Sequence, residues 1–442
     1  MGPTYADSVQ NHLKGTALGC QISAVFGLPM KASTVRPIQT KQAEANIGDI
    51  MKSTNPVFTG IQTTVFETMS RLAMAHGAVN LGQGFPDVDG PEDIRETAAK
   101  ALMDGPNQYP PMLGLPELRQ AVSDANKRFY GLEIDPQTEV LVTSGATEAL
   151  SDAIMSLVSP GDEVVLIEPL YDCYLPLVER AGGIAVRIRV TPPHWQLDED
   201  ALKAAFSDKT KAVLINNPMN PTAKVFSDAE LGLIADLCKQ HDAYAICDEV
   251  YEHLVFDGHK HQPLMTFDGM RERTIRIGSA GKTFSLTGWK VGYITGPASM
   301  LDPIAKAHQW TTFTTPPNLQ KAVAYGIGKD DSYYQGLADD LSAKRDRMAK
   351  GLSALGFEVL PCAATYFLTC GITGTGLGDN DVEACEILVK EAGVAAVPVS
   401  AFYGSDAPTS FIRFCFCKQD AVIDEALEQL SRFLTAARAE SA

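Results

Sequence analysis

Residues 210–251 read TKAVLINNPMNPTAKVFSDAELGLIADLCKQHDAYAICDEVY, and this stretch decides the fold class. The run Ala212–Ile215 is short and apolar, which favours a strand. Asp228–Gln240 places apolar residues at helical spacing, and Tyr244–Cys247 is a second short apolar run. Strand, helix and strand in this order predict a βαβ unit, in which the two strands lie parallel.

The same alternation extends along the chain from Glu139 onward. Helical stretches such as Glu148–Val158 separate further short apolar runs, namely Val140–Thr143, Val164–Ile167, Ala185–Val190, Ile275–Ile277 and Val291–Ile294. Strands that are apolar on both faces suit a sheet that helices cover. We therefore predict an α/β domain with a mainly parallel seven-stranded sheet covered by helices.

The C-terminal part follows another pattern. A long helical stretch at residues 332–355 leads into the runs Phe357–Leu360, Tyr366–Cys370 and Phe411–Cys417, which read as strands, and Val422–Leu434 reads as a final helix. This order predicts a second, smaller α+β domain.

These patterns suggest domain boundaries. We place the large domain at residues 91–330 and the smaller domain at residues 331–442, with a contribution from residues 51–90. Residues 1–50 show no periodicity and read as an N-terminal tail, a targeting peptide or an extension outside the core. Met51 is a candidate initiator.

The composition of the 442-residue chain excludes several classes of function. A formal net charge of −17 disfavours binding to the phosphate backbone of nucleic acid. No apolar run reaches the roughly 18 residues that a membrane span needs. The nine cysteines are scattered without a CxxC pair, which is typical of reduced thiols in a cytoplasmic protein. The eight histidines form no metal-ligand motif, so we predict no metal site.

Four polar turns follow predicted strands, at the sheet edge where α/β proteins bind ligands. They are Thr143-Ser-Gly-Ala-Thr147, Asn216-Asn-Pro-Met-Asn220-Pro-Thr-Ala223, Cys247-Asp248-Glu-Val-Tyr251 and Gly278-Ser-Ala-Gly-Lys282-Thr-Phe-Ser-Leu-Thr-Gly-Trp-Lys290. The first turn opens a helix, whose free N–H groups and dipole attract phosphate. The last turn surrounds a lysine with small residues, which allow the close approach and desolvation that make an amine nucleophilic.

Each turn by itself also fits an ordinary surface loop. Together they supply phosphate donors, the acid Asp248, the phenol Tyr251, an amide and the amine of Lys282. Pyridoxal 5′-phosphate (PLP) has a phosphate, a ring nitrogen, a phenolic oxygen and an aldehyde, which these groups match. The combination predicts a PLP site.

Further segments carry a resemblance to a known family. They are Leu81-Gly-Gln-Gly-Phe-Pro-Asp87, Asn107-Gln-Tyr109-Pro, Glu168-Pro-Leu-Tyr171-Asp-Cys-Tyr and Ile412-Arg413-Phe. With the four turns, they resemble the fold-type I PLP aminotransferases of class I/II, and most of all the kynurenine–glutamine–methionine aminotransferase group. The resemblance runs from about Asn55 to the C-terminus.

The resemblance implies a role for each matched residue of the cofactor site. Lys282 is expected to form the Schiff base and then to move the proton of the substrate Cα, and Asp248 to pair with the ring nitrogen. Tyr251 and Asn220 are expected to contact the phenolic oxygen, and Tyr171 the ring face. The expected phosphate ligands are Ala146, Thr147, Ser279 and Lys290, together with Tyr109 of a neighbouring subunit, so the resemblance implies a homodimer.

The resemblance also implies how substrate binds. Arg413 is expected to bind the α-carboxylate as a bidentate pair, close to Asn220 and the backbone of Gly84. Residues 310–317 contain no arginine to meet a side-chain carboxylate and offer Phe313 and Thr314 instead. This favours transamination between a neutral or aromatic L-amino acid, such as methionine, glutamine or kynurenine, and a 2-oxo acid.

Two positions depart from the family pattern. Lys290 stands where many relatives have arginine, and it keeps the charge but lacks the guanidinium fork. Ala223 stands where the family usually has glycine, so a left-handed turn there costs about 1 kcal/mol or changes its form. We expect an altered loop geometry without loss of function.

Two alternative functions remain open. The same scaffold supports a carbon–sulfur β-lyase that acts on cysteine conjugates, because both reactions begin with loss of the Cα proton. An aminotransferase-like sensor domain of a transcription regulator is a distant alternative, since residues 1–50 are too short and irregular for a winged helix.

Overall fold

Three β-sheets form the framework of the part of the chain that the structure describes. The computed structural model describes residues 52, 54–61 and 63–440, so the predicted N-terminal tail and Met51 lie outside it. The strands are β1 Val79–Asn80, β2 Val140–Thr143, β3 Glu163–Glu168, β4 Ile184–Thr191, β5 Gln196–Leu197, β6 Thr210–Asn216, β7 Tyr244–Asp248, β8 Thr274–Ser279, β9 Gly292–Thr295, β10 Glu358–Val359, β11 Phe367–Gly371, β12 Val394–Ala395, β13 Val397–Pro398 and β14 Phe411–Cys415.

Helices of very different length connect these strands. The α-helices are α1 Pro56–Thr59, α2 Val65–His76, α3 Glu92–Asp104, α4 Pro116–Tyr130, α5 Gly145–Leu157, α6 Tyr174–Arg180, α7 Glu199–Ala204, α8 Asp228–Gln240, α9 Ala280–Thr283, α10 Ala298–Thr311, α11 Pro317–Ile327, α12 Asp331–Ala354, α13 Asp381–Ile387 and α14 Asp420–Glu440. Short 3₁₀ turns lie at Leu264–Thr266, Thr287–Trp289 and Val399–Phe402, and a π turn at Leu388–Ala392.

The largest sheet has the order β2-β9-β8-β7-β6-β3-β4-β5. Strands β8, β7, β6, β3 and β4 pair in parallel, whereas β9 and β5 run antiparallel to their neighbours. This confirms a mainly parallel sheet that contains the seven predicted strands. The structure adds an eighth strand, β5, which the sequence analysis missed because two residues are too few to show a periodicity.

Both faces of this sheet are buried. Val165 and Val213 pack into a cluster on one face, whereas their neighbours Val164, Leu166 and Leu214 pack into a cluster on the other face. Successive residues of a strand point to opposite faces, so two buried faces require apolar residues at every position. This explains why the strands read as continuous apolar runs.

Helix α8 shows how local sequence sets the bounds of an element. Ser227 caps the helix by accepting the N–H of Glu230, whose side chain returns to the Ser227 N–H. This reciprocal pair satisfies two N–H groups that the helix leaves free, and the helix begins and ends where the sequence predicts. Leu231, Ile234 and Cys238 then face the sheet at helical spacing.

The second sheet has the order β10-β11-β14-β13 and is antiparallel throughout. Its apolar cluster includes Phe367 and Phe414 of the sheet, Met69 of α2 and Leu352 of α12. This cluster unites elements from the two ends of the chain, in keeping with the predicted smaller domain, whose boundaries stay a prediction. No described helix is both long and apolar enough to cross a membrane.

Candidate active site

A cavity of about 210 Å³ lies at the carboxyl ends of the parallel strands. The cofactor residues expected from the sequence line it, with the exception of Tyr109: Ala146, Thr147, Tyr171, Asn220, Asp248, Tyr251, Ser279, Lys282 and Lys290. They lie at or after the carboxyl ends of β2, β3, β6, β7 and β8, which the pairing of the strands brings to one edge of the sheet.

One end of the cavity is suited to an anion. Helix α5 begins at Gly145, so the N–H groups of its first turn, which includes Ala146 and Thr147, have no partner within the helix. A Cβ at Gly145 would lie 3.4 Å from the amine nitrogen of Lys290, which shows how closely this cation approaches the start of the helix. Helix dipole and lysine charge together attract a phosphate.

The lining of the cavity also includes a buried carboxylate. Asp248 Oδ2 accepts a hydrogen bond of 2.7 Å from the hydroxyl of Tyr174. Burial raises the pKa of Asp248 to about 6, although the Tyr174 hydrogen bond and the charge of Lys282 favour the ionised form. Asp248 is therefore ionised at neutral pH and can pair with a protonated ring nitrogen.

Lys282 lies in α9, where its side chain is held by a tyrosine. Its amine donates a hydrogen bond of 3.0 Å to the Tyr366 hydroxyl, which itself donates to the Gly84 carbonyl at 2.8 Å. Burial lowers the pKa of Lys282, against the opposing effect of Cys417 and Asp248. A lower pKa increases the neutral fraction of the amine, which is the form that attacks a carbonyl.

Arg413 lies directly behind the cavity wall in β14. It is fully buried, and it donates to Asn220 Oδ1 at 2.9 Å and to the Gly82 carbonyl at 2.8 Å. Its Nε has no hydrogen-bond partner among the described residues, and its guanidinium lies 3.9 Å from the ring centroid of Phe367. Burial lowers the pKa of Arg413 to about 10, so the side chain stays cationic at neutral pH.

Comparison with known proteins assigns the family. The family model for aminotransferases of class I and II matches residues 77–430. The chain belongs to this family. The match contains the four polar turns and Arg413, and it confirms the resemblance seen in the sequence.

The sequence match of this aminotransferase to its relatives covers almost the whole length of those proteins. A protein of Mycobacterium tuberculosis named probable N-succinyldiaminopimelate aminotransferase is 45% identical over 380 residues, which are 84% of this chain and 96% of that protein. The methionine aminotransferase of Escherichia coli K12 is 40% identical over 368 residues, 83% of this chain and 95% of that protein. A solved structure of N-succinyldiaminopimelate aminotransferase from M. tuberculosis has a TM-score of 0.84, and the match covers 86% of this chain and 100% of that chain.

Aminotransferases of this family use PLP, and the cavity of this chain fits that cofactor. The start of α5 and Lys290 suit the phosphate, and Asp248 suits the ring nitrogen. Tyr251 and Lys282 line the same cavity and offer a phenol and an amine to the phenolic oxygen and the aldehyde.

Of the residues expected to bind substrate, Asn220 lines this cavity, whereas Arg413, Gly84 and Phe313 lie outside its lining. Arg413 and Gly84 are joined to it through Asn220 and Tyr366, respectively. Phe313 packs edge-on against Tyr109, with 5.5 Å between their ring centroids. Tyr109 is 84% exposed, so it is free to contact a second molecule, and its expected role in a neighbouring site stays a prediction.

The sequence analysis assigned no role to three residues of the site. Tyr174 and Asn216 line the cavity, and Tyr366 contacts Lys282. Tyr174 closes the quoted segment that begins at Glu168, so its place in that segment was an available signal. Tyr366 lies 84 residues after Lys282 and belongs to no motif, and only folding reveals its contact.

Ala223 adopts a left-handed conformation, which costs alanine more than glycine. Its φ is 57°, and its N–H donates to the Met219 carbonyl at 2.8 Å. Its carbonyl accepts the N–H of Ala363. These contacts hold the turn in the left-handed form, and the expected difference from the loop of glycine-containing relatives stays a prediction. The turn accepts the conformational cost of about 1 kcal/mol.

We expect the substitution Ala223→Gly to leave the free energy of unfolding unchanged within about 0.5 kcal/mol. Glycine adopts the left-handed conformation at lower cost, which stabilises the folded variant. The loss of the buried methyl group and the greater entropy of the unfolded chain destabilise it by a similar amount. The matched control Ala229→Gly, at an exposed position of α8, is expected to lose about 1 kcal/mol. Denaturation with saturating PLP measures both changes. Equal losses in the two variants would contradict the strain at Ala223.

Proposed function

We propose that this chain transfers the amino group of a neutral or aromatic L-amino acid to a 2-oxo acid. The observation that carries the proposal is the cavity that Lys282 and Asp248 share with the anion site at the start of α5. PLP, when bound, supplies an electron sink for the carbanion that forms at the substrate Cα.

Residues of this chain move the proton, hold the cofactor and orient the substrate. Lys282 has a lowered pKa, so as a neutral amine it can take the proton from the substrate Cα. It would then pass this proton to the former aldehyde carbon of bound PLP. Tyr366 holds that amine in place, and Asp248 keeps the ring nitrogen protonated. Arg413 binds the α-carboxylate, so the Cα–H bond is presented to Lys282.

The charges around the cavity support a neutral side chain. The basic residues among those that line it are Lys282 and Lys290, and both have roles in holding the cofactor. No third cation lines it to pair with a side-chain carboxylate. The methionine aminotransferase of E. coli and the kynurenine–oxoglutarate transaminase 3 of Mus musculus, 39% identical to this chain, act on such donors by their names.

A second candidate donor is N-succinyldiaminopimelate, named for the M. tuberculosis relative. A groove of about 930 Å³, here called the side groove, extends from Asp172 and Phe66 between α2 and residues 382–402. Arg71 and Lys390 lie on its walls. Its volume suits a long donor. Arg71 and Lys390 are paired with Glu67 and Glu386, so a donor carboxylate would replace one of these partners.

A donor panel separates the two candidates. We expect methionine, glutamine and kynurenine to give a higher kcat/KM than aspartate, because an unpaired carboxylate is costly to bury. If N-succinyldiaminopimelate is the better donor, Arg71→Ala lowers its kcat/KM and leaves that of methionine unchanged. Arg95→Ala, an exposed arginine of α3, is the matched control. A preference for aspartate would contradict the proposed substrate class.

The reaction class has its own test. Transamination consumes one 2-oxo acid for each amino acid that reacts, whereas a carbon–sulfur β-lyase releases pyruvate and ammonia without that acceptor. Product analysis with a cysteine conjugate, with and without a 2-oxo acid, distinguishes the two. Sustained pyruvate release without acceptor would favour the lyase.

Tyr174→Phe is expected to weaken PLP binding at low pH. Burial raises the pKa of Asp248 and the Tyr174 hydrogen bond lowers it, so removal of the hydroxyl raises this pKa above its value of about 6. The loss of affinity on acidification then begins about one pH unit higher, because a hydrogen bond to a charged group contributes about 1.5 kcal/mol or more.

The measurement is the dissociation constant of PLP from the apoenzyme between pH 5 and 8, which spans the pKa of about 6. Tyr244→Phe, at the amino end of β7, is the matched control and should follow the unsubstituted protein. Identical curves for all three proteins would show that Tyr174 does not influence Asp248.

Assembly and location are part of the proposal. A homodimer is supported by the exposure of Tyr109 and Trp310, 84% and 85%, since large exposed aromatic rings often mark a protein interface. The cytoplasmic location and the absence of nucleic-acid and membrane partners stay predictions. Sedimentation of the holoenzyme tests the dimer.

A further inference from the structure

Two cysteines at the end of β14 bring their sulfur atoms together. Cys415 Sγ lies 3.2 Å from Cys417 Sγ, and the two residues are 0% and 5% exposed. Residues two positions apart in an extended chain point to the same side, so the backbone itself holds the pair in register. An S–S bond needs an approach of only about 1 Å more.

A second cavity gives access to this pair. It has a volume of about 100 Å³, and Cys417 and Lys282 both line it. Its wall also includes Asp87 and Val88, which are exposed at the surface. A small polar oxidant can therefore reach Cys417 from solvent, on a path that also leads to Lys282.

Charge distinguishes Cys415 from the other described cysteines. Burial disfavours the thiolate of Cys415, yet the Cys417 hydrogen bond and the charge of Lys418 lower the pKa of Cys415. The pKa values of the other seven described cysteines are raised, in each case chiefly by burial. Reaction with an oxidant requires a thiolate, which the surrounding charges favour at Cys415, whereas Cys417 is the member of the pair that lines the cavity, so the two sulfur atoms react as a unit.

We propose that Cys415 and Cys417 form an oxidisable pair, which a hydroperoxide converts to an intrachain disulfide beside Lys282. The thiolate of the pair attacks one peroxide oxygen, the O–O bond breaks, hydroxide leaves and the sulfur becomes a sulfenic acid. The thiol of the other cysteine then attacks this sulfur, the S–O bond breaks, and water leaves with the thiol proton. Two thiols are oxidised, and one peroxide is reduced to water.

The test uses the purified, reduced holoenzyme and hydrogen peroxide. After brief oxidation, free thiols are alkylated in denaturant, and trypsin then releases residues 414–418 as one peptide that contains both cysteines. We expect this peptide to lose two hydrogens and to resist alkylation sooner than any other cysteine peptide. Prior treatment with dithiothreitol should restore double alkylation.

Variants separate the two steps. Cys415→Ser and Cys417→Ser are each expected to form no disulfide and to stop at the sulfenic acid of the remaining cysteine, which dimedone traps. Cys370→Ser, a buried cysteine of β11 with a raised pKa, is the matched control and should oxidise at residues 414–418 like the unsubstituted protein.

Two outcomes would overturn the proposal. One is a peptide 414–418 that stays doubly alkylated while other cysteines oxidise. The other is progression to sulfonic acid without a disulfide. Because the readout is mass, the result does not depend on which amino acid the enzyme uses.

Discussion

Replacing Lys282 with alanine is expected to lower kcat by about four orders of magnitude or more, since a positioned proton-transfer group alone contributes about 10²–10⁴-fold. The amine that faces the cavity is the group in position both to hold the cofactor covalently and to move the Cα proton. Tyr366, which contacts that amine, cannot replace it, because burial raises the pKa of its hydroxyl well above the ordinary value. Single-turnover kinetics with methionine and added PLP measure the loss.

Controls for Lys282 separate chemistry from binding. Lys282→Ala should still bind PLP through the start of α5 and Lys290, but without the visible band of the covalent lysine adduct. Lys282→Arg keeps a cation and should be equally slow, since a guanidinium stays protonated. Lys306→Ala, on the exposed side of α10, should retain full activity. Near-normal turnover by Lys282→Ala would refute the mechanism.

Replacing Arg413 with alanine is expected to lower kcat/KM for amino acids by about a hundredfold or more. Loss of one partner from a buried charge pair costs about 3 kcal/mol, and each 1.36 kcal/mol corresponds to a factor of ten. Because Arg413 lies behind the lining of the cofactor cavity, the visible band should form normally. The steady-state kinetics and the PLP dissociation constant, measured together, test this separation.

Matched variants distinguish a role of Arg413 in substrate binding from a role in packing. Arg413→Lys keeps the charge but loses the guanidinium fork, so it should be intermediate. Arg432→Ala, at an exposed position of α14, should behave as the unsubstituted protein. A parallel loss of PLP binding and thermal stability in Arg413→Ala would instead assign Arg413 to the packing of β14 against Asn220 and Phe367.

Local patterns predicted much of the fold because the forces that act on each element are local. Helix α8 begins and ends at the predicted residues, since a capping box fixes its start and its apolar spacing fixes its buried face. The buried strands were recognised because a sheet with two covered faces requires continuous apolar runs. The edge strand β5 was not predicted, because it has two residues and is defined only by its pairing with the neighbouring strand β4.

The site was predictable to the extent that its residues lie in turns after strands. Parallel pairing brings such turns to one edge whatever the details of the loops, so Asp248 and Lys282 had to lie close together. The role of Ala223 was harder to foresee. Its conformation depends on hydrogen bonds to Met219 and Ala363, and the latter lies 140 residues away in the chain.

The sequence by itself determined the sheet, the polar edge and the residue types of a PLP site, because hydrophobic periodicity and turn chemistry are properties of short segments. Only the tertiary structure decided the contacts of Tyr366 with Lys282, of Tyr174 with Asp248 and of Arg413 with Asn220. Each joins segments far apart in the chain, and a hydrogen bond of about 3 Å depends on how whole elements pack rather than on local pattern.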